Sequence, residues 1–135
     1  MTVVVPNIGE DLILQLLFNK ISAGNPVIRL FSNNITPAET DVLITYTEAA
    51  FAGYSAIFST NTDWTIVQGS PTIATSIEYV FLKAPPPPIG TIFGYYVTRS
   101  GPGGELLWAE RFTNGPYVVE NGGDEIRVVA RFTGE

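Results

Sequence analysis

A chain of 135 residues fits one domain that buries roughly two thirds of its unfolded surface, so its core needs neither a metal nor a disulfide. It contains no histidine and no cysteine, which excludes His-dependent triads, a Cys nucleophile and a disulfide scaffold, and says nothing of compartment. The net charge is −6, and the seven basic residues are scattered at Lys20, Arg29, Lys83, Arg99, Arg111, Arg127 and Arg131; without clustered cations no direct nucleic-acid binding is expected.

Charged residues make up 15% of the chain, against about 25% in an ordinary soluble domain, and the mean hydropathy is positive. A small monomer covers itself with polar groups, so this composition predicts surface hidden against other subunits. The longest apolar runs are far too short to span a bilayer. The N-terminal MTVVVPNIGED lacks the basic region of a signal peptide, so no membrane anchor is expected and synthesis in the cytoplasm is the default expectation.

Taken in order, VVVP reads as an extended arm, because Pro6 blocks helix and pushes its predecessor toward β. Asn7 reads as a helix cap with Glu10 in the capping-box position. In the helix IGEDLILQLLFNKI, Asp11, Gln15 and Asn19 form one narrow polar stripe; Leu12, Ile13, Leu14, Leu16, Leu17, Phe18 and Ile21 make the rest apolar. So wide an arc exceeds what one sheet face covers. Two readings stand side by side: a helix wedged deep in its own core, or one that also faces a neighbouring subunit. SAGNP ends it, so that residues 1–25 are arm plus helix and residues 26–135 form the sheet body.

VIRLFS predicts a strand with Ile28 and Leu30 on one face and Val27, Arg29 and Phe31 on the other. NNITPAETD is a turn-rich loop with room for one helical turn after Pro37. LITYT is expected as strand, EAAF as a turn, and Tyr54 to Phe58 as strand; WTIVQ, TIAT and IEYVFLKA follow, the last two separated at Ser76. Strands of five to eight residues with turns about every ten suit a β-sandwich or jelly roll. Pro85, Pro86, Pro87 and Pro88 supply no backbone donors and favour a stiff polyproline conformation. They read as a rigid crossover between two sheets, with a peptide-like ligand for an aromatic groove as the sharper alternative.

The last third reads as a meander: TIFGYYVT, the turn SGPGGE, LLWAERF, the breakers TNGP, YVV, the turn ENGGDE and IRVVARF. Alternation puts Leu106, Trp108 and Phe112 on one side of their strand and Leu107, Ala109 and Arg111 on the other. In the last strand Ile126, Val128, Ala130 and Phe132 share a face, with Arg127 and Arg131 pointing away. Glu110 falls on Trp108's side, which places it at a sheet edge or against one of these arginines. The expected fold class is therefore mainly β, a β-sandwich or jelly roll with one N-terminal α-helix.

Little in the sequence carries chemistry. Glu78 and Glu110 are the carboxylate pair that strands could aim at a common face for glycoside hydrolysis, but no other active-site cue accompanies them, and the expectation is no enzyme. ENGGDE lacks the alternating acidic spacing of a calcium loop and is better read as a hairpin turn; no metal and no cofactor are expected. The glycines of SGPGGE precede no helix and cradle no phosphate. Of the sixteen aromatic rings, Trp64 and Trp108 are the candidates for stacking on a sugar, although their positions beside aliphatics read mainly as core.

Several strings together resemble a family of small virion structural proteins of tailed bacteriophages: VPNIGEDLILQLL, IRLFSNNITPAETD, YTEAAFAGY, DWTI, FGYYV, LLWAERF and GPYVVENGGDEIRV. They run in order over most of the chain. The resemblance implies a β-sandwich or jelly-roll domain that assembles on a virion, often as a homotrimer, as a capsid cement or decoration protein bound to the major capsid protein or other virion proteins. A tail-associated receptor- or carbohydrate-binding module is the alternative it leaves open. It brings no active site. The expected contact residues are Leu14 and Phe18 on the helix and Pro85 to Pro88.

Overall fold

A computed structural model describes residues 3–18, 24–101 and 104–134 of the chain. Asn19 and Ile21 of the expected helix, and Pro102 and Gly103 of the expected turn, lie outside them, as do the side chains of Leu16 and Leu17. The described chain is mainly β, with one α-helix and antiparallel sheets.

The N-terminal arm runs along a sheet edge, where Val4 and Ala109 exchange backbone hydrogen bonds of 2.9 and 3.0 Å. Helix α1 (Asn7–Leu17) follows. It starts earlier than a cap at Asn7 would have it: the Pro6 carbonyl accepts from the Gly9 and Glu10 amides. Proline lacks only a donor, so it serves well at the position whose carbonyl opens the helix.

The strands are β1 (Pro26–Phe31), β2 (Ile57–Phe58), β3 (Trp64–Val67), β4 (Thr72–Leu82), β5 (Gly90–Ile92), β6 (Gly94–Arg99), β7 (Leu106–Arg111), β8 (Tyr117–Val119) and β9 (Glu125–Gly134). They form a four-stranded sheet in the order β2-β1-β6-β7, a three-stranded sheet β3-β4-β9 and a two-stranded sheet β5-β8. One contiguous core joins all three. Ile28, Leu30, Tyr95, Val97 and Trp108 come from the first sheet, Tyr79, Phe81, Ile126, Val128 and Ala130 from the second, and Ile92 and Val119 from the third. A smaller cluster of Phe31, Tyr46, Tyr96, Leu106 and Ala109 covers the other face of the first sheet, which is why β1 is apolar on both faces. The faces expected for β1 and β9 hold: Ile126, Val128 and Ala130 are buried and Phe132 packs against them, while Arg127 and Arg131 are exposed.

Six expectations are corrected. LITYT is not a strand but contains a 3-10 turn at Leu43–Thr45. Asp41 accepts from the Ala38 amide at 2.9 Å and from the Tyr46 hydroxyl at 2.7 Å, and Thr45 Oγ1 accepts from the Val42 amide. Such local side-chain bonds compete with a strand ladder. The turn after Pro37 is a single hydrogen-bonded turn, not helical, and of the Tyr54–Phe58 stretch only Ile57 and Phe58 pair, because the Tyr54 hydroxyl turns inward to accept from the Leu30 amide at 3.1 Å.

TIAT and IEYVFL form one strand, β4, that bulges at Ser76. There Ser76 Oγ replaces the missing ladder partner, accepting from the Ala130 amide at 2.9 Å, so the chain continues without leaving a buried amide unbonded. TIFGYYVT, by contrast, is two strands in different sheets, β5 and β6, divided at Phe93. Finally, a register shift between Val97 and Thr98 gives β7 an extra residue, so Leu106 joins Ala109 in the small cluster while Leu107 and Trp108 both face the main core.

Candidate assembly surfaces

Helix α1 lies on β7 through one close approach. A side chain at Gly9 would put its Cβ 2.1 Å from the Leu107 carbonyl oxygen, so only glycine lets the backbones come this near. Leu12 is buried beside it. The opposite side of the helix is apolar and open: Leu14 is 54% exposed and Phe18 67%, and their spacing of four residues makes one stripe. Both residues expected at an interface thus face outward.

Pro85 to Pro88 are exposed in the connection from β4 to β5, between the second and third sheets. Within the run the Pro85–Pro86 and Pro87–Pro88 peptide bonds are cis. A lysine holds it: Lys83 is 1% exposed, and its ammonium donates to the carbonyls of Ala84 and, at 2.9 Å, Pro86. Burying an ammonium is tolerated where carbonyl oxygens replace its water. The turn Glu120–Asp124 supports the same loop, with Gly122 packed against Pro85 and the Lys83 amide donating to the Asp124 carbonyl at 2.7 Å.

The outer face of the second sheet carries Ile77, Val80, Leu82 and Val129, all exposed. Between them Arg127 donates to Glu78 and Glu125, each at 2.6 Å. Exposed pairs of this kind add little stability, but they neutralise charge across a face that is otherwise greasy. Both glutamates hold the Arg127 guanidinium charged, raising its pKa further.

The structure separates the remaining candidates. Glu78 stands on this outer face, whereas Glu110 is buried on the core side and accepts from the Tyr95 hydroxyl at 2.5 Å. Glu110 therefore lies on the edge strand β7, as expected, but is buried against a tyrosine and not an arginine, and the two carboxylates share no face on which a glycosidic bond could lie. Trp108 is 6% exposed, set edge-on to Trp64 at 6.0 Å and tilted on Phe132 at 5.3 Å; a ring enclosed in this way offers no face to a sugar. Trp64 is half-buried, and its indole N–H donates to Ser59 Oγ. In ENGGDE the Asp124 carboxylate accepts from the Asn121 and Glu120 amides, which lower its pKa. That carboxylate is committed to shaping the turn, and among the described residues no three His, Cys, Asp or Glu side chains converge to hold a metal.

Sequence reasoning missed two features. The buried Lys83 gives no periodic signal beyond a cation closing an apolar strand. The other is a groove of about 700 Å³ between β8 and β9, lined by Phe112, Tyr117, Val118 and residues of β9. No family model, curated protein or solved structure matches this chain.

Proposed function

We propose that this chain is a structural subunit of a tailed-bacteriophage virion, a capsid cement or decoration protein that stabilises the shell through subunit contacts. It works as a homotrimer seated on the major capsid protein or a neighbouring virion protein. The first and second sheets, which contribute to a common core, are read as the two layers of a β-sandwich of jelly-roll type.

One observation carries this reading: among the described residues sixteen large hydrophobic side chains are exposed, on a chain that is only 15% charged. Exposed apolar side chains are ordinary when scattered; here Leu14 and Phe18 form the α1 stripe, and Ile77, Val80, Leu82 and Val129 share the outer face of the second sheet. Burial of such surface contributes about 25 cal/mol per Å², a drive for assembly that needs no reaction. A protein that clamps neighbouring shell subunits requires only such a surface and a rigid body behind it.

Phe18→Glu tests the helix contact. The side chain is exposed, so the fold should tolerate the charge, but a carboxylate in an apolar interface has no partner. The expected result is a smaller oligomer and at least about tenfold weaker binding to shells, the effect of losing an interface anchor. Unchanged oligomer size and unchanged binding would remove α1 from the interface.

A further inference from the structure

Strands β8 and β9 are consecutive and joined by only the five residues Glu120–Asp124, yet they do not pair. β8 bonds to β5 and β9 to β4, so the two splay from a tight turn and leave the 700 Å³ groove between them. The side of β9 that faces this groove is a free sheet edge. The Asp124 carbonyl accepts from Lys83 and the Ala130 amide donates to Ser76, so even-numbered residues of β9 bond toward β4. The Arg131 amide points the other way, to the Tyr95 hydroxyl at 3.3 Å. Backbone polarity alternates along a strand, which directs the N–H groups of Arg127 and Val129 into the groove, and among the described residues nothing accepts from them. Tyr95 closes the row at its far end.

We propose that this slot accepts an extended segment of another polypeptide, which adds as a strand to β9 and lies on Phe112 and Tyr117. A row of unpaired main-chain groups beside an apolar floor is the recognition mode of strand addition: the ladder supplies affinity and alternate side chains supply fit. Charge sets the direction of the segment. At the closed end of the slot Asp124 is held by turn amides and Glu125 by Arg127, while Lys83 is held by loop carbonyls; Glu120 is left as the carboxylate that no cation among the described residues meets. The segment therefore bears a lysine or arginine at the end that lies over the turn and β-branched residues at alternate positions beyond it. The inference concerns the slot alone and holds wherever the subunit is mounted.

The test is titration of the full chain with a panel of blocked hexapeptides alternating valine and threonine, with a lysine at either end, followed by amide resonances and hydrogen exchange. Binding should slow exchange of the Arg127 and Val129 amides at least tenfold, with one lysine position favoured over the other. Val129→Pro removes one N–H from the slot and leaves the β4 side of the ladder intact, which an edge strand tolerates; it should weaken binding at least tenfold. Should that variant misfold, Val118→Trp, at an exposed position on the β8 wall, should block the slot with the fold preserved. Absence of binding across the panel, equal binding by the folded variants, or protection confined to residues elsewhere would each overturn the proposal, as would a slot that answers only to glycans.

Discussion

Gly94→Ala is expected to destabilise the protein by about 3 kcal/mol, at the top of the range for over-packing. In a strand alanine ordinarily improves on glycine. Here, however, the new Cβ would lie 2.2 Å from the Glu110 carbonyl oxygen and 2.6 Å from the Phe31 ring. Neither can yield: the carbonyl belongs to the β6–β7 ladder, and Phe31 is fully buried on the adjacent strand. Against a total stability of about 5–15 kcal/mol such a loss is readily measured by denaturant unfolding, and a variant as stable as the parent would show that β6 does not enter the first sheet at this residue.

Above pH 10 the protein is expected to lose stability steeply. Tyr46, Tyr54, Tyr79, Tyr95 and Tyr96 all have raised pKa values, in each case chiefly because burial disfavours the phenolate. Hydrogen bonds to Asp41, Glu48, Asp63 and Glu110 reinforce the shift for Tyr46, Tyr54, Tyr79 and Tyr95 in turn. A raised folded pKa means that the native state holds protons the unfolded chain has released. Stability from these groups is therefore complete below the unfolded pKa of about 10 and falls as pH rises beyond it. Each phenol contributes up to about 1.4 kcal/mol per pH unit and five together about 7, comparable with the whole stability. Tyr79, pushed up to about 12, is the first of the five to ionise within the fold. Circular dichroism and the phenolate absorbance of these five, followed from pH 9 upward in a Tyr117→Phe background, should change together in one cooperative step; any of the five that titrates near its ordinary value with the fold intact would contradict this packing of the rings.

Gly94 also shows where the sequence stops being legible. IRLF, LLWAERF and IRVVARF declare themselves as runs of β-branched, aromatic and aliphatic residues between turn signals, and for β1 and β9 the alternation assigns the faces correctly. In TIFGYYVT every residue but the glycine favours β, so nothing local reveals that Ile92 pairs with β8 while Tyr95 pairs with β1; that division is decided by which sheet covers the core. Bulges do the same on a smaller scale: an extra residue at Leu106–Leu107 reverses the predicted sides, and Ser76 reads as a break when its hydroxyl in fact bridges one. Tertiary packing overrides such patterns wherever one residue shifts register.

The candidate surfaces divide in the same manner. The greasy helix stripe is visible as Leu14 and Phe18 four residues apart with too little polar cover. The β8–β9 slot is invisible, because ENGGDE carries every sign of a hairpin turn and only the pairing of each strand with a different sheet opens the gap. Glu78 and Glu110 look equivalent as letters; one meets Arg127 in solvent and the other a tyrosine in the core.

Sedimentation of the purified chain, alone and mixed with empty phage shells, probes the central claim most directly. A subunit of the kind proposed should run as a trimer by itself and pellet with the shells. A chain that stays monomeric at every concentration and remains in the supernatant would contradict the account.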